Sequence, residues 1–330
     1  VKTETPPTPS VKPHKRNLPM QVGTRGSPLA RQQTQTFLHL LTTFCPVLRG
    51  MQVFEEHIIL TTGDAVQHRP LAEIGGKGLF AKEIHEQLLA GTIDFAVHSL
   101  KDLETVLPDG IALACTLKRE DARDALILPP GAVVDTADPF GALTQGAVVG
   151  SASVRRQAQM KYARPDLNFT LLRGNVGTRL GKVENGALDA TLLAYAGLRR
   201  LGLAEKASLV LSPEQMVPAA CQGIVGITVR AEDTELLSLL SGIEDQEARA
   251  VSRAERALLG ALDGSCRTPI GGYARLLEDG ALHLTGLVAR ADGTFLLKRS
   301  LTGAVADAER LGRELGESLK ADSPDDIFEP

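Results

Sequence analysis

Residues 147–180, AVVGSASVRRQAQMKYARPDLNFTLLRGNVGTRL, place four arginines where apolar runs give way to helices. The run Ala147–Val149 ends at Gly150, Ser153 is a helix cap, and Arg155 and Arg156 fall in the first turn that follows. The pattern repeats: Leu167–Leu172 reads as a strand, Arg173 and Gly174 turn, Asn175 caps, and Arg179 enters the next first turn. Cations there add to the positive end of a helix dipole instead of offsetting it. They suit a bound anion, because guanidinium forks match carboxylates and phosphates, and Ser151 and Ser153 can add hydroxyl donors. A solvated, salt-bridged helix face is the competing account. Against it, residues 147–206 hold ten Lys/Arg and four Asp/Glu in a chain whose net charge is −4.

A carboxylate stands near a similar junction in TIDFAVHSLKD, residues 92–102. Ile93–Val97 reads as a short strand, so Lys101 and Asp102 lie at its carboxyl end, where open α/β sheets place ligands. Asp102 either balances Lys101 or supplies one negative charge inside a positive site, able to orient an N–H and stabilise a cation. His98 reads as a hydrogen-bonded structural residue. Arg25 precedes a helix capped by Ser27 with Pro28 at its first position, a third such junction, and Gln33 is a weaker candidate on that helix. Lys77, after the glycines of 61–80, and Arg200, on a later helix, are further cations, and Gln222 reads as a hinge or ligand contact. The four cysteines, Cys45, Cys115, Cys221 and Cys266, are widely spaced and form neither a metal-binding motif nor a disulfide framework. Cys266 lies in a Gly-Ser-Cys loop beside Arg267, where thiolate is favoured if the loop is exposed.

RRQAQ, LLRGNVGTRL, HSLKD and GSCRTPI, taken with VGTRGSPLA at 22–30, resemble porphobilinogen deaminase, the hydroxymethylbilane synthase family. The motifs occur in order along nearly the whole chain beyond its N-terminal tail. The resemblance implies sequential condensation of four porphobilinogen molecules into 1-hydroxymethylbilane, with one ammonia released per addition. It implies a dipyrromethane cofactor held by a thioether to Cys266, with Asp102 and Lys101 as catalytic residues. Lys101, Asp102, Ser151, Ser153, Arg155, Arg156, Arg173 and Arg179 would contact the cofactor. Arg25, Ser27, Gln33, Lys77, Arg173, Asn175, Arg179, Arg200 and Gln222 would contact porphobilinogen or the growing linear pyrrole chain. Two departures stand out: Glu104 replaces the family's usual proline, and Cys221 replaces a small residue.

These residues must be positioned by a chain of 330 residues, 43 % hydrophobic and 4 % aromatic, enough for two or three α/β domains. The resemblance implies three: 19–119 with 219–241, 124–216, and a small α/β domain at 245–330, the first two resembling periplasmic binding protein lobes. The apolar run in QMVPAACQGIVGITVR, residues 215–230, would return the chain to the first domain through a hinge. Residues 1–18 read as a disordered tail rich in Pro and Thr. Three tyrosines and no tryptophan argue against a nucleic-acid stacking surface, and no apolar stretch approaches the roughly 20 residues of a membrane span. A monomeric, cytoplasmic enzyme without a metal is expected. The first residue is Val and not Met, which keeps a processed leader and a plastid address open.

Overall fold

The computed structural model describes residues 18–49, 52–66, 69, 78–262 and 268–328. Lys77, Cys266 and Arg267, together with most of the 67–77 connection, lie outside the described residues.

Three sheets organise the chain. The first contains β1 (Met20–Thr24), β2 (Phe54–Ile58), β3 (Phe95–Ser99), β4 (Ile111–Thr116) and β10 (Val225–Arg230), in the order β2-β1-β3-β10-β4. The second contains β5 (Asp124–Ile127), β6 (Val148–Gly150), β7 (Asn168–Thr170), β8 (Ala190–Ala194) and β9 (Leu209–Val210), in the order β7-β6-β8-β5-β9. The two orders are the same design. Each sheet has parallel strands at one side and one strand, β10 or β5, that runs antiparallel to both its neighbours. Those two strands adjoin the crossings between the sheets, so the chain leaves the first lobe after β4 and returns as β10. The third sheet is the antiparallel meander β11 (Ile270–Leu276), β12 (Leu282–Ala289) and β13 (Leu296–Gly303).

Helices cover the sheets by burying apolar stripes. In the first lobe these are α1 (Pro28–Phe44), the short α2 (Thr62–Ala65) and α3 (Lys82–Leu89). In the second they are α4 (Val154–Ala163), α5 (Val176–Glu184) and α6 (Tyr195–Arg200). Helix α7 (Thr234–Ser241) closes the first lobe, while α8 (Gln246–Ala261) and α9 (Ala308–Ala321) pack on the meander. Leu100 and Leu103 share a core with Val251, Leu258 and Leu284, so the turn after β3 is seated on the third unit. Glu255 on α8 ties that unit to the hinge: it is fully buried and accepts from Arg119, the Cys221 amide and the Ala274 amide.

One local expectation needs correction. The strand expected at Ile93–Val97 runs over Phe95–Ser99, because the Asp94 carboxylate takes the Gln21 amide and the Ile93 carbonyl takes Arg230 before sheet pairing begins. Helix α3 starts at Lys82, so its inner face is Ile84, His85 and Leu88, and Leu89 is half exposed. The strand Ile270–Leu276 was concealed by its glycines. A side chain at Gly271 would strike Val217, and one at Gly272 would press on Leu258, so close packing requires the residues that weaken the strand signal.

Candidate active site

The cleft between the two lobes is lined by the carboxyl ends of their strands. Its capping residues behave as local sequence dictates. Ser27 accepts the Ala30 amide at 3.2 Å, Ser153 the Arg156 amide at 3.4 Å, and Asn175 the Thr178 amide at 2.9 Å. Ser151 accepts from the Ser153 amide at 3.0 Å, which shapes the turn into α4. These oxygens are therefore engaged within their own turns.

Arg155 and Arg156, expected to face ligand carboxylates across the cleft, are buried at its floor, 5 % and 7 % exposed, and meet Asp124. Arg155 Nη1 donates to Asp124 Oδ2 and to the Val217 carbonyl, both at 2.7 Å. Arg156 donates to Asp124 Oδ1 through Nε at 3.1 Å and Nη2 at 2.7 Å, and to the Leu192 carbonyl through Nη1. The Gln222 amide also donates to Asp124 Oδ1, at 2.9 Å, while its Oε1 accepts Lys101 Nζ at 3.1 Å. Gln222 thus joins the hinge to the positive floor. Burial works to raise the Asp124 carboxyl pKa, but the two guanidiniums outweigh it and hold the group well below the usual carboxylate range.

Asp124 opens β5 and lies outside the arginine-rich window of the sequence, so the local charge excess concealed its counter-ion. Asp124→Asn should lower stability by about 3–5 kcal/mol, because it leaves two buried guanidiniums without their carboxylate. The folded-state pKa is depressed, so this stability is present above the unfolded value near 3.9 and lost as pH falls through the folded one. Denaturant melts should show a constant gap between wild type and variant from about pH 5 to 8 that narrows below about pH 4. An equal gap throughout, or none, would contradict the assignment.

The cleft walls carry the other cations. Arg25 grips Asp64 through Nε at 2.9 Å and Nη2 at 2.5 Å, and lies 4.2 Å from the Phe80 ring centre. Its remaining Nη1 is 3.4 Å from Asp102 Oδ2. Arg173 crosses from the second lobe to the carbonyls of Gly63 and Arg69, at 2.7 and 3.0 Å. Arg179 has only the Gly174 carbonyl at 2.8 Å as hydrogen-bond partner among the described residues. Desolvation, then Arg156 and Arg173, lower its pKa to about 10, with Asp102 pulling the other way. At Lys101, desolvation between the cleft walls and then the neighbouring Arg156 lower the ammonium pKa to about 8.

Six cations, Arg25, Lys101, Arg155, Arg156, Arg173 and Arg179, therefore face three carboxylates, Asp64, Asp102 and Asp124. The carboxylates are unequal. Asp124 is buried among four donor groups, and Asp64 holds the Arg25 fork and Thr61. Asp102 has one long contact and a 27 % exposed side chain, which leaves it open to a ligand N–H.

Two predicted contacts lie elsewhere. Gln33 is buried and exchanges hydrogen bonds with Ser99, below the Lys101–Asp102 turn. Arg200 donates to the Gly223 carbonyl at the hinge. His98 donates to or accepts from Thr228 at 2.9 Å, and burial, His85 and Arg25 lower its pKa to about 3, consistent with a structural residue.

The two buried cysteines make poor nucleophiles. Burial pushes Cys115 and Cys221 up to about 12, with Glu244 and Glu255 adding to it, respectively. Cys45 ends α1, whose 17 residues span about 25 Å from the cleft-side cap.

Two family models match the chain. "Porphobilinogen deaminase, dipyromethane cofactor binding domain" covers residues 20–238, and "Porphobilinogen deaminase, C-terminal domain" covers residues 249–321. The chain is 45 % identical over 313 residues to a porphobilinogen deaminase of Paracoccus denitrificans, covering 94 % of this chain and 96 % of that one. It is 46 % identical over 311 residues to that of Nitrobacter winogradskyi, covering 93 % and 94 %. The chloroplastic porphobilinogen deaminase of rice is 45 % identical over 313 residues, covering 94 % and 86 %.

Proposed function

The chain belongs to the porphobilinogen deaminase family, and on that premise we propose that the cleft between its first two lobes is where its chemistry is done. The enzyme condenses four porphobilinogen molecules, with release of four ammonia and uptake of one water in the final hydrolytic release, into hydroxymethylbilane, in tetrapyrrole biosynthesis. The observation that carries the site is the excess of cations around one weakly engaged carboxylate. Each porphobilinogen brings an acetate and a propionate, and these anions would take the donors left by Asp64, Asp102 and Asp124.

The same excess fits the acetates and propionates of a dipyrromethane cofactor, whose primer role is to supply a free pyrrole α-carbon. Cys266 is our proposed anchor. It lies outside the described residues, but the strand that follows it supports the reading. Gly271 abuts Val217, whose carbonyl receives Arg155, and the Gly272 amide donates to the Pro218 carbonyl at 2.9 Å. A group attached just before β11 would therefore start beside the arginine floor.

Asp102 would accept the substrate's pyrrole N–H. As the aminomethyl C–N bond breaks and ammonia departs, positive charge spreads onto the ring, and the carboxylate stabilises it. The bound cofactor would supply the free α-carbon that joins this methylene carbon, and the Asp102 carboxylate or water would take the proton released there. Lys101 and Arg179 would hold substrate carboxylates, with Arg25 and Arg173 at the outer wall and Arg155 and Arg156 supplying field from the floor. Ser27, Ser151, Ser153 and Asn175 would offer ligands the turns that they cap, while Lys77 remains a candidate on sequence alone. Gln33, Arg200 and Gln222 would act as supports of the turn and hinge.

The reading includes the division 19–119 with 219–241, 124–216 and 245–330, and a monomer. Cytoplasm is the proposed compartment; the plastid stroma is the alternative that the chloroplastic rice relative supports. None of the described helices is long and apolar enough to cross a membrane.

Denaturing intact mass spectrometry tests the function directly. The protein should carry a covalent excess of two linked pyrrole units, and brief exposure to porphobilinogen should add a ladder of further units. Arg179→Gln should shorten the ladder and raise KM by about tenfold or more, as expected for loss of a charge-assisted contact. A bare polypeptide mass from fully active protein would reject the reading.

A further inference from the structure

Beneath the Lys101–Asp102 turn lies a group of buried polar atoms that the proposed chemistry does not use. His85 on α3 is 2 % exposed, and neither ring nitrogen has a hydrogen-bond partner among the described residues. Glu104, two residues beyond Asp102, has Oε2 buried and equally unpartnered. Buried polar atoms are rarely left unmet, so two complementary groups within electrostatic reach of one another call for explanation.

The backbone at Glu104 is firmly held. Arg256 of α8 donates through Nη2 to the carbonyls of Glu104 and Thr105, at 2.6 and 3.0 Å, and Leu103 is buried in the core shared with the third unit. Its side chain instead rests against Gly78, where any side chain would collide with the carboxylate. We infer that His85 and Glu104 form a carboxylate–imidazole pair that holds the Lys101–Asp102 turn in its working position, closed when the Glu104 side chain turns from Gly78 to the His85 ring. The role in catalysis rests on the reading of Asp102 given above.

The surroundings leave Glu104 as the partner. His98 on β3 faces His85 with ring centres 5.7 Å apart, but its Nε2 is committed to Thr228. Arg25 acts on His98 from the cleft, and Arg256 on Glu104 from α8. On α3 itself, Glu83 takes the Thr62 amide through Oε1 and leaves Oε2 buried and unpartnered, but it stands two positions from His85 and so projects from another face of the helix, and Lys82 is exposed. Burial lowers the His85 pKa while Glu104 raises it. Closing the pair strengthens the second effect. Its contribution is therefore greatest with His85 protonated and declines as pH rises through the paired-state pKa.

The test uses full-length, cofactor-loaded enzyme, with the His85 ring titrated by NMR. In Glu104→Gln the His85 pKa should fall by about one unit or more, since an adjacent opposite charge is removed. Both Glu104→Gln and His85→Gln should lower kcat by about tenfold with KM changed less than twofold, and the double variant should be no worse than either single one. A His85 titration indifferent to Glu104→Gln, or kcat losses that multiply in the double variant, would overturn the pair. Failure of the Asp102 reading would appear separately, as an active Asp102→Asn enzyme.

Discussion

Cys266→Ser protein should have the mass of the polypeptide alone and form no detectable hydroxymethylbilane, while wild type carries the dipyrromethane on the peptide containing Cys266. Serine retains nearly the same size but cannot form the thioether, so the loss should be one of chemistry and not of fold. The other cysteines give the prediction its force. Cys115 and Cys221 are buried, and both thiols are pushed up to about 12, so little thiolate exists at neutral pH to attack a pyrrole carbon. Cys221 is further confined by a backbone φ of 63° and by donation of its amide to Glu255. Cys45 sits at the far end of α1. Peptide mapping that finds the pigment on Cys221, or a fully active Cys266→Ser enzyme without a covalent pyrrole, would defeat the assignment. Near-wild-type melting of the apo-variant would separate loss of the anchor from loss of structure.

Asp102→Ala should reduce turnover by about a thousandfold, within the range expected when a positioned acid–base group is lost. Asp64 and Asp124 cannot take over, because each is already committed to guanidiniums: Asp64 to Arg25, Asp124 to Arg155 and Arg156. Asp102 meets its cation only at 3.4 Å, through Oδ2, and no hydrogen bond among the described residues engages its Oδ1. Its removal also leaves the cleft more positive, which favours binding of carboxylates even as it disfavours the cationic transition state. The expected signature is therefore a collapse of kcat with KM unchanged or lower, in a protein that remains folded and loaded. Wild-type turnover at saturating porphobilinogen would reject the role. Asp102→Asn is the sharper version, since it keeps shape and hydrogen bonding but removes the charge.

Both predictions concern residues that sequence motifs singled out, and the reason is physical. A helix cap, a turn and the first turn of the following helix are separated by three or four residues, so their relation is set locally. Ser27, Ser153 and Asn175 accept amides three positions ahead, and the arginines at those junctions fall at the strand ends. The apolar run within 215–230, which holds β10, is legible as β-like for the same reason, by composition over a few residues. The resemblance of separated motifs added the cofactor and the reaction, neither of which local patterning contains.

Tertiary structure decided which charges meet. Arg155 and Arg156 looked like a pair pointed at ligand, yet β5 brings Asp124 from 31 and 32 residues away to accept one hydrogen bond from the first and two from the second. Gln222 reaches Lys101 across 121 positions, and Arg119 reaches Glu255 across 136. His85 carries no signal in the sequence, and only the packing of its helix under the turn sets its imidazole near Glu104 and His98. The sequence by itself determined where cations and caps stand along each strand-to-helix junction. Whether a cation faces substrate or a buried carboxylate depends on which distant strand lies beside it, a question of sheet order that no local periodicity encodes.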